Sequence, residues 1–265
     1  MHKIYTILLF VLMTTLAGCQ LGAHAGGETE KNDDVTIERF DRVESLYLTM
    51  ADFAALHQMK TDYPTQTRTL IEDVLQLGPV NDPNINTRWL KFFQDSTLQA
   101  LISDVERQYA DIDDVNRQLT RAFRRLSKML PHMETPKVYA QIGSLDQSII
   151  VTDSMLGISL DKYLGADYPA YLRYGYSEHQ RSMMTREYIV PDCLGFYLLS
   201  IYPSPQNDDE QVERRRWHMA KIQYVVNQVM GRDIFYNDTI ARLQRFMKEN
   251  PRCSTSDFLM ADSLP

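Results

Sequence analysis

The feature that most constrains the fold is a change of hydrophobic periodicity at Pro131. Residues 111–130 repeat apolar side chains every three or four positions, which is the period of an amphipathic helix. Beyond Pro131, residues 137–142, 148–152 and 156–160 are short runs rich in Val, Ile and Tyr, which are typical of strands. The chain therefore predicts an α+β fold, a mainly helical single domain with a small antiparallel sheet.

Helical patterns also occupy the segments on both sides of the predicted sheet. Apolar spacing predicts helices over 46–59 and 70–77, and the alternation in residues 35–41 favours a short strand. Helix starts are predicted where a capping side chain precedes an apolar run, at Ser96, Ser177, Asp208 and Asn237. Pro191 is expected to kink or split the helix that begins near residue 180.

An apolar leader begins the chain and ends at Leu16-Ala17-Gly18-Cys19. A basic start, an apolar run and small residues before the cysteine are the layout of a secretory signal. The four closing residues resemble the lipobox of bacterial lipoproteins. The resemblance implies that signal peptidase cuts before Cys19 and that the Cys19 thiol carries a diacylglyceryl group. The alternative is an ordinary cleaved signal in which the cysteine has no such role.

The leader divides the chain into three parts. Residues 1–18 are the predicted lipoprotein signal peptide. Residues 19–34 combine glycines and charged side chains with few apolar ones, so we expect a flexible tether. Residues 35–265 are long enough for one globular domain with a substantial core. Beyond the leader, no apolar run approaches the roughly 18 residues that a membrane-spanning helix needs.

The charge balance limits the classes of partner. The chain has 28 Lys and Arg against 35 Asp and Glu, a net charge of −7. Such an acidic chain is not typical of nucleic-acid binding or of broad docking on anionic lipid. The sequence therefore predicts membrane attachment through the lipid on Cys19 alone, with no nucleic-acid partner. Gln20 follows Cys19, and this favours the outer membrane, on its periplasmic side.

The search for catalytic, metal and cofactor motifs finds none intact. The six histidines form no pair at metal-ligand spacing, and no nucleophile elbow or phosphate-binding glycine loop is present. We therefore expect no cofactor, no metal and no catalytic residue. Cys193 and Cys253 could pair in an oxidising compartment or remain as two thiols, and the sequence leaves both open.

Residues 157–202 contain eight tyrosines and several glycines. Tyrosine combines an apolar ring with a polar hydroxyl, so it suits partly buried positions as well as binding surfaces. One interpretation is that these tyrosines cover the sheet edge and bond to loops. The other is a surface for a protein partner, formed by Asp161, Tyr163, Gly165, Tyr168 and Tyr171.

Residues 157–171 and 189–192, together with 37–41, resemble the gliding-motility lipoprotein B (GldB) family of Bacteroidetes envelopes. The resemblance extends from about residue 37 over most of the mature chain. It implies a cell-envelope lipoprotein associated with gliding motility, acting without catalysis and through contacts with envelope proteins that remain unidentified. It assigns no catalytic residue.

A more distant resemblance concerns zinc peptidases that carry His-Glu-x-x-His on the helix after the strands. Here Arg186 and Val190 stand at the two histidine positions and only Glu187 matches. The resemblance implies a zincin-like scaffold without its metal ligands. Two alternatives to a non-enzymatic lipoprotein stay open: an envelope hydrolase, peptidase-like or active on cell-wall material, and a lipoprotein that binds a small ligand at the tyrosines.

Overall fold

The computed structural model describes residues 34–204 and 211–261. The residues from Asp34 onward belong to one compact unit. The predicted signal peptide, Cys19, the tether as far as residue 33 and the predicted cap at Asp208 lie outside the described residues.

A four-stranded sheet lies inside this unit. Its strands are β1 (Ile37–Glu38), β2 (Lys137–Gln141), β3 (Ile149–Val151) and β4 (Met155–Ser159), in the order β1-β2-β4-β3. β1 and β4 both run parallel to β2, whereas β3 runs antiparallel to β4. The strands β2 and β4 are buried along nearly their whole length, as is usual for parallel strands covered on both faces.

The α+β class and the three predicted strand runs are confirmed, but the expectation of an antiparallel sheet is wrong. Only the β3–β4 pair is antiparallel, and the sheet is mixed. A parallel pair requires a long crossover. Here six helices separate β1 from β2. The composition of the short strand runs does not indicate the direction in which each strand pairs with its neighbour.

Twelve α-helices surround the sheet within the described ranges. Those before β2 are α1 (Phe40–Met50), α2 (Phe53–Thr61), α3 (Pro64–Thr69), α4 (Ile85–Phe92), α5 (Ser96–Gln108) and α6 (Asp113–Met129). Those after β4 are α7 (Pro169–Arg173), α8 (Glu178–Met183), α9 (Ile189–Ile201), α10 (Gln211–Met230), α11 (Asp238–Glu249) and α12 (Thr255–Met260). A π-turn over Leu70–Val74 extends α3, and 3₁₀ turns cover Leu160–Tyr163 and Arg186–Tyr188.

The amphipathic stripe of α6 packs into the core as the sequence predicts. Its buried side chains are Val115, Leu119, Ala122, Phe123 and Leu126. Helix α1 packs against β2, while α9 packs against β3, β4 and α6. The two helices thus cover a sheet that is too apolar to face water.

Local signals located most helix starts correctly but not all. Ser177 forms the predicted capping box and Asn237 caps α11. At the start of α5 the cap is Asp95 rather than Ser96, because the Asp95 carboxylate accepts the Thr97 and Leu98 N–H groups. An Asp one residue earlier can satisfy the same free amides.

Two predicted helix continuities were wrong. The run over 46–59 is broken at Ala51, whose φ of 52° is left-handed, and Asp52 caps the next helix. The run from about residue 180 is also interrupted, because α8 ends at Met183, a 3₁₀ turn follows and α9 begins at Ile189. The break lies before Pro191, which occupies the first turn of α9, where a missing N–H costs nothing. No helix of the described ranges is both long and apolar enough to cross a bilayer.

Candidate functional site

Parallel strands bring their carboxyl ends to one edge of the sheet, and here that edge is polar. Gln141 ends β2 and Ser159 ends β4, and both side chains are fully buried. The Gln141 Nε2 donates to the Ser159 hydroxyl at 3.3 Å. Asp161 follows two residues after β4, also fully buried. Ligand sites of open α/β sheets commonly lie at this edge, so it is the first place to look for a site.

Two buried carboxylates hold the loop that follows β2. The Glu44 carboxylate, on α1, accepts the Ile142 N–H at 2.9 Å. The two oxygens of Asp161 accept the Gly143 N–H at 2.7 Å and the Leu145 N–H at 2.5 Å. Three backbone donors within four residues are therefore satisfied by side chains from other elements, which fixes the path of the loop.

This loop is held in an unfavourable backbone conformation. Ser144 and Leu145 are adjacent, and both have positive φ angles, of 52° and 68°. Left-handed conformations of residues other than glycine cost on the order of 1 kcal/mol or more and persist where surrounding contacts impose them. The Asp161 carboxylate and the Lys162 ammonium, which donates to the Leu145 carbonyl at 3.2 Å, supply those contacts. Such strain often marks functional loops.

The strained loop forms one wall of a surface cleft of about 490 Å³. The cleft is lined by Val74, Leu75, Gln76, Phe92, Ser144, Leu145, Asp146, Tyr174 and Tyr176. Its rim is partly apolar, because Phe92 is 37% exposed and Tyr174 is 54% exposed. Leu172, 56% exposed, precedes Tyr174 in the chain. Gln76, another lining residue, also has a positive φ.

Tyrosine hydroxyls form hydrogen bonds with residues at or near the cleft. The Tyr171 hydroxyl donates to the Asp161 carbonyl at 2.6 Å and accepts the Leu164 N–H at 2.9 Å. The Tyr163 hydroxyl donates to Asp192 at 2.8 Å. Tyr176 donates to the Leu145 carbonyl, and the Lys162 ammonium lies 4.4 Å from the centre of its ring. We call Asp161, Tyr163, Tyr171 and Asp192 the tyrosine network.

The expectation that Asp161, Tyr163 and Tyr171 form an exposed partner surface is wrong. Each side chain is at most 1% exposed, and its polar groups bond inside the fold. Asp161 and Tyr171 bond to backbone groups, whereas Tyr163 donates to the Asp192 carboxylate. Tyr168 is half-buried and donates to Asp104 at 2.9 Å. Gly165 adopts a left-handed φ of 116° and makes a backbone bond to Met184. The alternative interpretation, in which tyrosines cover the sheet edge and bond to loops, describes these residues.

Burial changes the acidity of the carboxyl groups at this edge. Desolvation raises the pKa of Glu44 well above its ordinary value, and the nearby Asp161 and Asp41 charges raise it further. Desolvation also raises the pKa of Asp161, although its two backbone hydrogen bonds oppose the shift. The pKa of Asp192 is raised to about 6 by burial, with the Tyr163 hydrogen bond acting in the opposite direction. The edge therefore holds protons more tightly than exposed acids do.

The remaining predicted positions lie elsewhere. Cys193 is buried, Cys253 is half-buried, and both are free thiols. Glu187 is exposed in the 3₁₀ turn before α9, while Arg186 is engaged by Asp114. Among the described residues, no group of three His, Cys, Asp or Glu side chains is arranged to hold a metal ion. The peptidase-like scaffold remains a prediction.

Sequence reasoning missed Glu44, Lys162 and the exposed side chains at the cleft rim. Glu44 lies in an amphipathic helix and resembles a solvated acid until the fold brings it to Ile142. The signal that was available is the loop itself, since Gly143 and Asp146 mark a turn between two strands. That signal indicated a turn between two strands, but it did not indicate the positive φ angles of Ser144 and Leu145.

One comparison with known proteins identifies the family. The family model described as gliding motility protein GldB, a lipoprotein family, matches residues 26–234 of the 265. The chain belongs to the GldB family. The match includes the whole sheet, the strained loop and the tyrosine network, so these are features of a GldB-family domain. The chain is accordingly a gliding-motility-associated lipoprotein of the cell envelope. No curated protein and no solved structure matches it.

Proposed function

We propose that this protein is a lipid-anchored, non-enzymatic component of the gliding machinery that works through contacts with other envelope proteins. The observation that carries the proposal is the GldB family match over residues 26–234, which is described by motility and not by a reaction. The leader ending at Leu16-Ala17-Gly18-Cys19 supports the lipid anchor. Gln20 after Cys19 supports an outer-membrane location on the periplasmic side.

The cleft rim is the surface best suited to a protein contact. Phe92 and Tyr174 line the cleft and expose apolar area beside the strained loop, and exposed aromatic side chains are enriched where proteins bind one another. Two tyrosines support the rim, because the Tyr171 hydroxyl donates to the Asp161 carbonyl and the Tyr176 hydroxyl donates to the Leu145 carbonyl of the strained loop. A preformed rim binds with less loss of conformational freedom than a flexible one.

The anchor is tested in a gliding host that lacks its own copy of the gene. The wild-type chain should restore colony spreading, incorporate labelled palmitate and sediment with the outer membrane on a density gradient. Cys19→Ala should lose all three, whereas Cys253→Ala, which removes another accessible thiol, should lose none. Palmitate labelling of Cys19→Ala would contradict the anchor, and normal spreading by Cys19→Ala would contradict its role in gliding.

The rim is tested in the same host with Tyr174→Ala and the control Tyr236→Ala. Tyr236 is 79% exposed and lies outside the cleft lining, so the two substitutions remove the same side chain from two surfaces. We expect spreading to fall strongly for Tyr174→Ala at unchanged protein level and to stay normal for Tyr236→Ala. Equal spreading by both variants would remove the rim from the proposal and leave the anchored location standing.

A second candidate, binding of a small ligand, is favoured by the cleft itself. A concave site of about 490 Å³ with aromatic and polar lining is within the usual size of ligand sites. The test is a thermal-shift screen with soluble glycans and short peptides, comparing wild type with Tyr174→Ala. A ligand that raises the melting temperature of wild type only would support this candidate, and a screen without such a ligand would contradict it.

A further inference from the structure

The outward face of α6 carries charge of one sign. Its exposed basic residues are Arg117, Arg121, Arg124, Arg125 and Lys128. Acidic residues occur in this helix only in its first turn, at Asp113 and Asp114. Asp114 is bound by Arg186, and Arg124 is bound by Asp34 at 2.9 Å. The rest of the helix therefore presents a basic strip on a chain whose net charge is −7.

The strip is not arranged for the stability of the helix. Arg117, Arg121 and Arg125 follow one another at four-residue spacing, so Arg121 lies between two like charges. The one acid of the helix at this spacing is Asp113, four residues before Arg117. Within residues 34–204 and 211–261, no carboxylate lies within 4.0 Å of Arg117, Arg121 or Lys128. Repulsion of this kind is tolerated where an outside anion relieves it.

Part of the strip converges on a small cleft between α6 and the end of α10. Arg121, Arg125 and Arg232 line this cleft of about 220 Å³. The Arg125 guanidinium is held in position because it donates to the Val229 carbonyl at 2.9 Å. Guanidinium groups bind phosphate oxygens through paired N–H donors, so three of them around one cleft suit a phosphate group.

The chain leaves the folded domain directly beside this strip. The Val35 N–H donates to Thr120 at 3.0 Å, and the Ile37 N–H donates to Asn116 at 2.9 Å. Asn116, Thr120 and Arg124 form one row of α6, and Arg117, Arg121 and Lys128 form the next row around the helix. The tether that begins at Asp34 therefore starts at the edge of the basic strip.

We propose that the α6 basic face, formed by Arg117, Arg121, Arg125, Lys128 and Arg232, binds the phosphate-bearing headgroups of the membrane that holds the lipid anchor. The inference rests on the proposed anchor for its biological setting. The sequence predicts a flexible tether over residues 19–34, and a flexible chain of that length spans about 20 Å on average. Such a tether would keep the face close to the headgroups, where weak contacts become effective. A lipid chain combined with a basic patch is a common two-part membrane attachment.

The acidic net charge pointed away from docking on anionic lipid, and the structure supplies the reason for revising that expectation. Net charge averages over the whole surface, whereas headgroups respond to charges within about 10 Å at physiological salt. Within the described residues Arg124 is paired with Asp34, whereas Arg117, Arg121 and Lys128 have no carboxylate within 4.0 Å. A local basic face can thus act on an acidic protein.

The test uses the mature chain, residues 19–265, with Cys19→Ala, so that no acyl chain contributes and the result does not depend on lipidation. Binding is measured by sedimentation with vesicles of phosphatidylcholine alone and with equal parts of phosphatidylglycerol. We expect binding to the anionic vesicles only, and its loss in high salt. Each basic residue near an anionic surface contributes about fivefold in affinity. Replacing Arg117, Arg121 and Lys128 by Gln should therefore weaken binding about a hundredfold.

The matched control replaces Arg242, Arg245 and Lys248 of α11 by Gln. It removes the same charge from three exposed helical positions, of which Arg242 and Arg245 have an acid four residues away, Asp238 and Glu249. Unchanged binding by this control would support the proposal, and an equal loss would overturn it, because net charge alone would then explain the result. Absence of wild-type binding to anionic vesicles would also overturn it.

The same assay tests whether the tether, instead of the membrane, occupies the α6 basic face. The tether carries Glu28, Glu30 and Asp33, which could cover the strip instead of the membrane. The comparison is between the chain with these three acids and the same chain with the three amides. If only the amide variant binds vesicles, the tether occupies the face and the proposal is wrong. Circular dichroism and urea unfolding of each variant verify that the fold is intact. If both triple variants fold and only the α6 variant loses binding, the proposal holds.

Discussion

The tyrosine network and the α6 basic face are both rich in polar side chains, but the fold uses them in opposite ways. In the network, Asp161, Tyr163 and Tyr171 are buried, and their side chains bond to the backbone or to one another. On α6, Arg117 and Arg121 face outward in a row of like charges. The sequence left open whether Asp161, Tyr163 and Tyr171 form a partner surface or bond inside the fold, and the structure places them in the interior.

The difference shows what distinguishes a structural polar cluster from one that is available for binding. It is whether the polar groups already have hydrogen-bond partners inside the fold, and not the residue type. A buried polar group with all its partners stabilises one conformation, and its removal leaves unpaired donors. An exposed cluster of one charge contributes little to stability and is free to bind. Substitutions should therefore affect unfolding strongly in the network and hardly at all on α6.

The largest effect is expected for Asp161→Asn. An amide retains one acceptor oxygen but turns an NH₂ group toward the other buried N–H, so Gly143 or Leu145 loses its partner. The left-handed loop then also loses a contact that holds it. We expect the free energy of unfolding in urea to fall by about 4 kcal/mol. The control Asp167→Asn, at a fully exposed position, should change it by less than about 0.5 kcal/mol. Equal effects would contradict the structural role of Asp161.

A smaller effect with a distinct pH dependence is expected for Asp192→Asn. The folded pKa of about 6 lies above the ordinary value of 3.8, so between these values the folded state binds the proton more tightly than the unfolded state. The contribution of the Asp192 carboxyl group to the free energy of unfolding therefore falls as the pH rises from about 4 to 6. The amide variant avoids this loss and should be more stable than wild type by about 2–3 kcal/mol at pH 7.

Urea unfolding of both proteins at several pH values checks this sign. The stability difference between Asp192→Asn and wild type should be near zero at pH 4, grow up to pH 6 and then stay constant. Glu44 and Asp161 titrate in both proteins, so their contributions cancel in the difference. A difference that does not depend on pH would show that Asp192 is not held in the environment described here.

A paired tyrosine experiment is expected to give about 2 kcal/mol. Tyr171→Phe removes a hydroxyl that satisfies the Leu164 N–H and the Asp161 carbonyl, both in the interior. Tyr174→Phe removes the same atom from a half-exposed side chain at the cleft rim and should change stability by less than about 0.5 kcal/mol. Thermal and urea unfolding measure both. Equal losses would remove the distinction between the network and the rim.

The smallest expected effect has the opposite sign. Arg121→Glu places a carboxylate between Arg117 and Arg125 at four-residue spacing and should raise the unfolding free energy by about 0.5–1 kcal/mol. The gain should shrink in high salt, because these charges are exposed. Arg242→Glu, which puts like charges next to Asp238, should cause a small loss instead. A loss for Arg121→Glu would mean that the strip has a structural role.

Local features of this fold could be predicted from the sequence. The cap at Asn237 and the capping box at Ser177 involve partners three residues away, and the strand runs carry their own composition. The stripe of α6 is a periodic pattern within one helix. Each of these signals is complete within a dozen residues, so no knowledge of the remaining chain is required.

The candidate site could not be predicted, because its contacts join distant positions. Glu44 meets Ile142 across 98 residues, and the parallel pairing of β1 with β2 depends on the path of six helices. Tyr171 is buried and Tyr174 exposed although they lie one helical turn apart, since α7 is too short to show a period. Residue type alone cannot separate two such tyrosines.

The contacts of Val35 and Ile37 with α6 also determine where mechanical load enters the molecule. A pull on the chain ahead of Asp34 first reaches the Arg124 ion pair, then the bonds to Thr120 and Asn116, and then the two-residue strand β1 at the sheet edge. Tension is thus divided between the middle of a long helix and the sheet. None of the residues in these contacts lines the cleft, so a load on the N-terminal segment reaches α6 and the sheet before it reaches the rim.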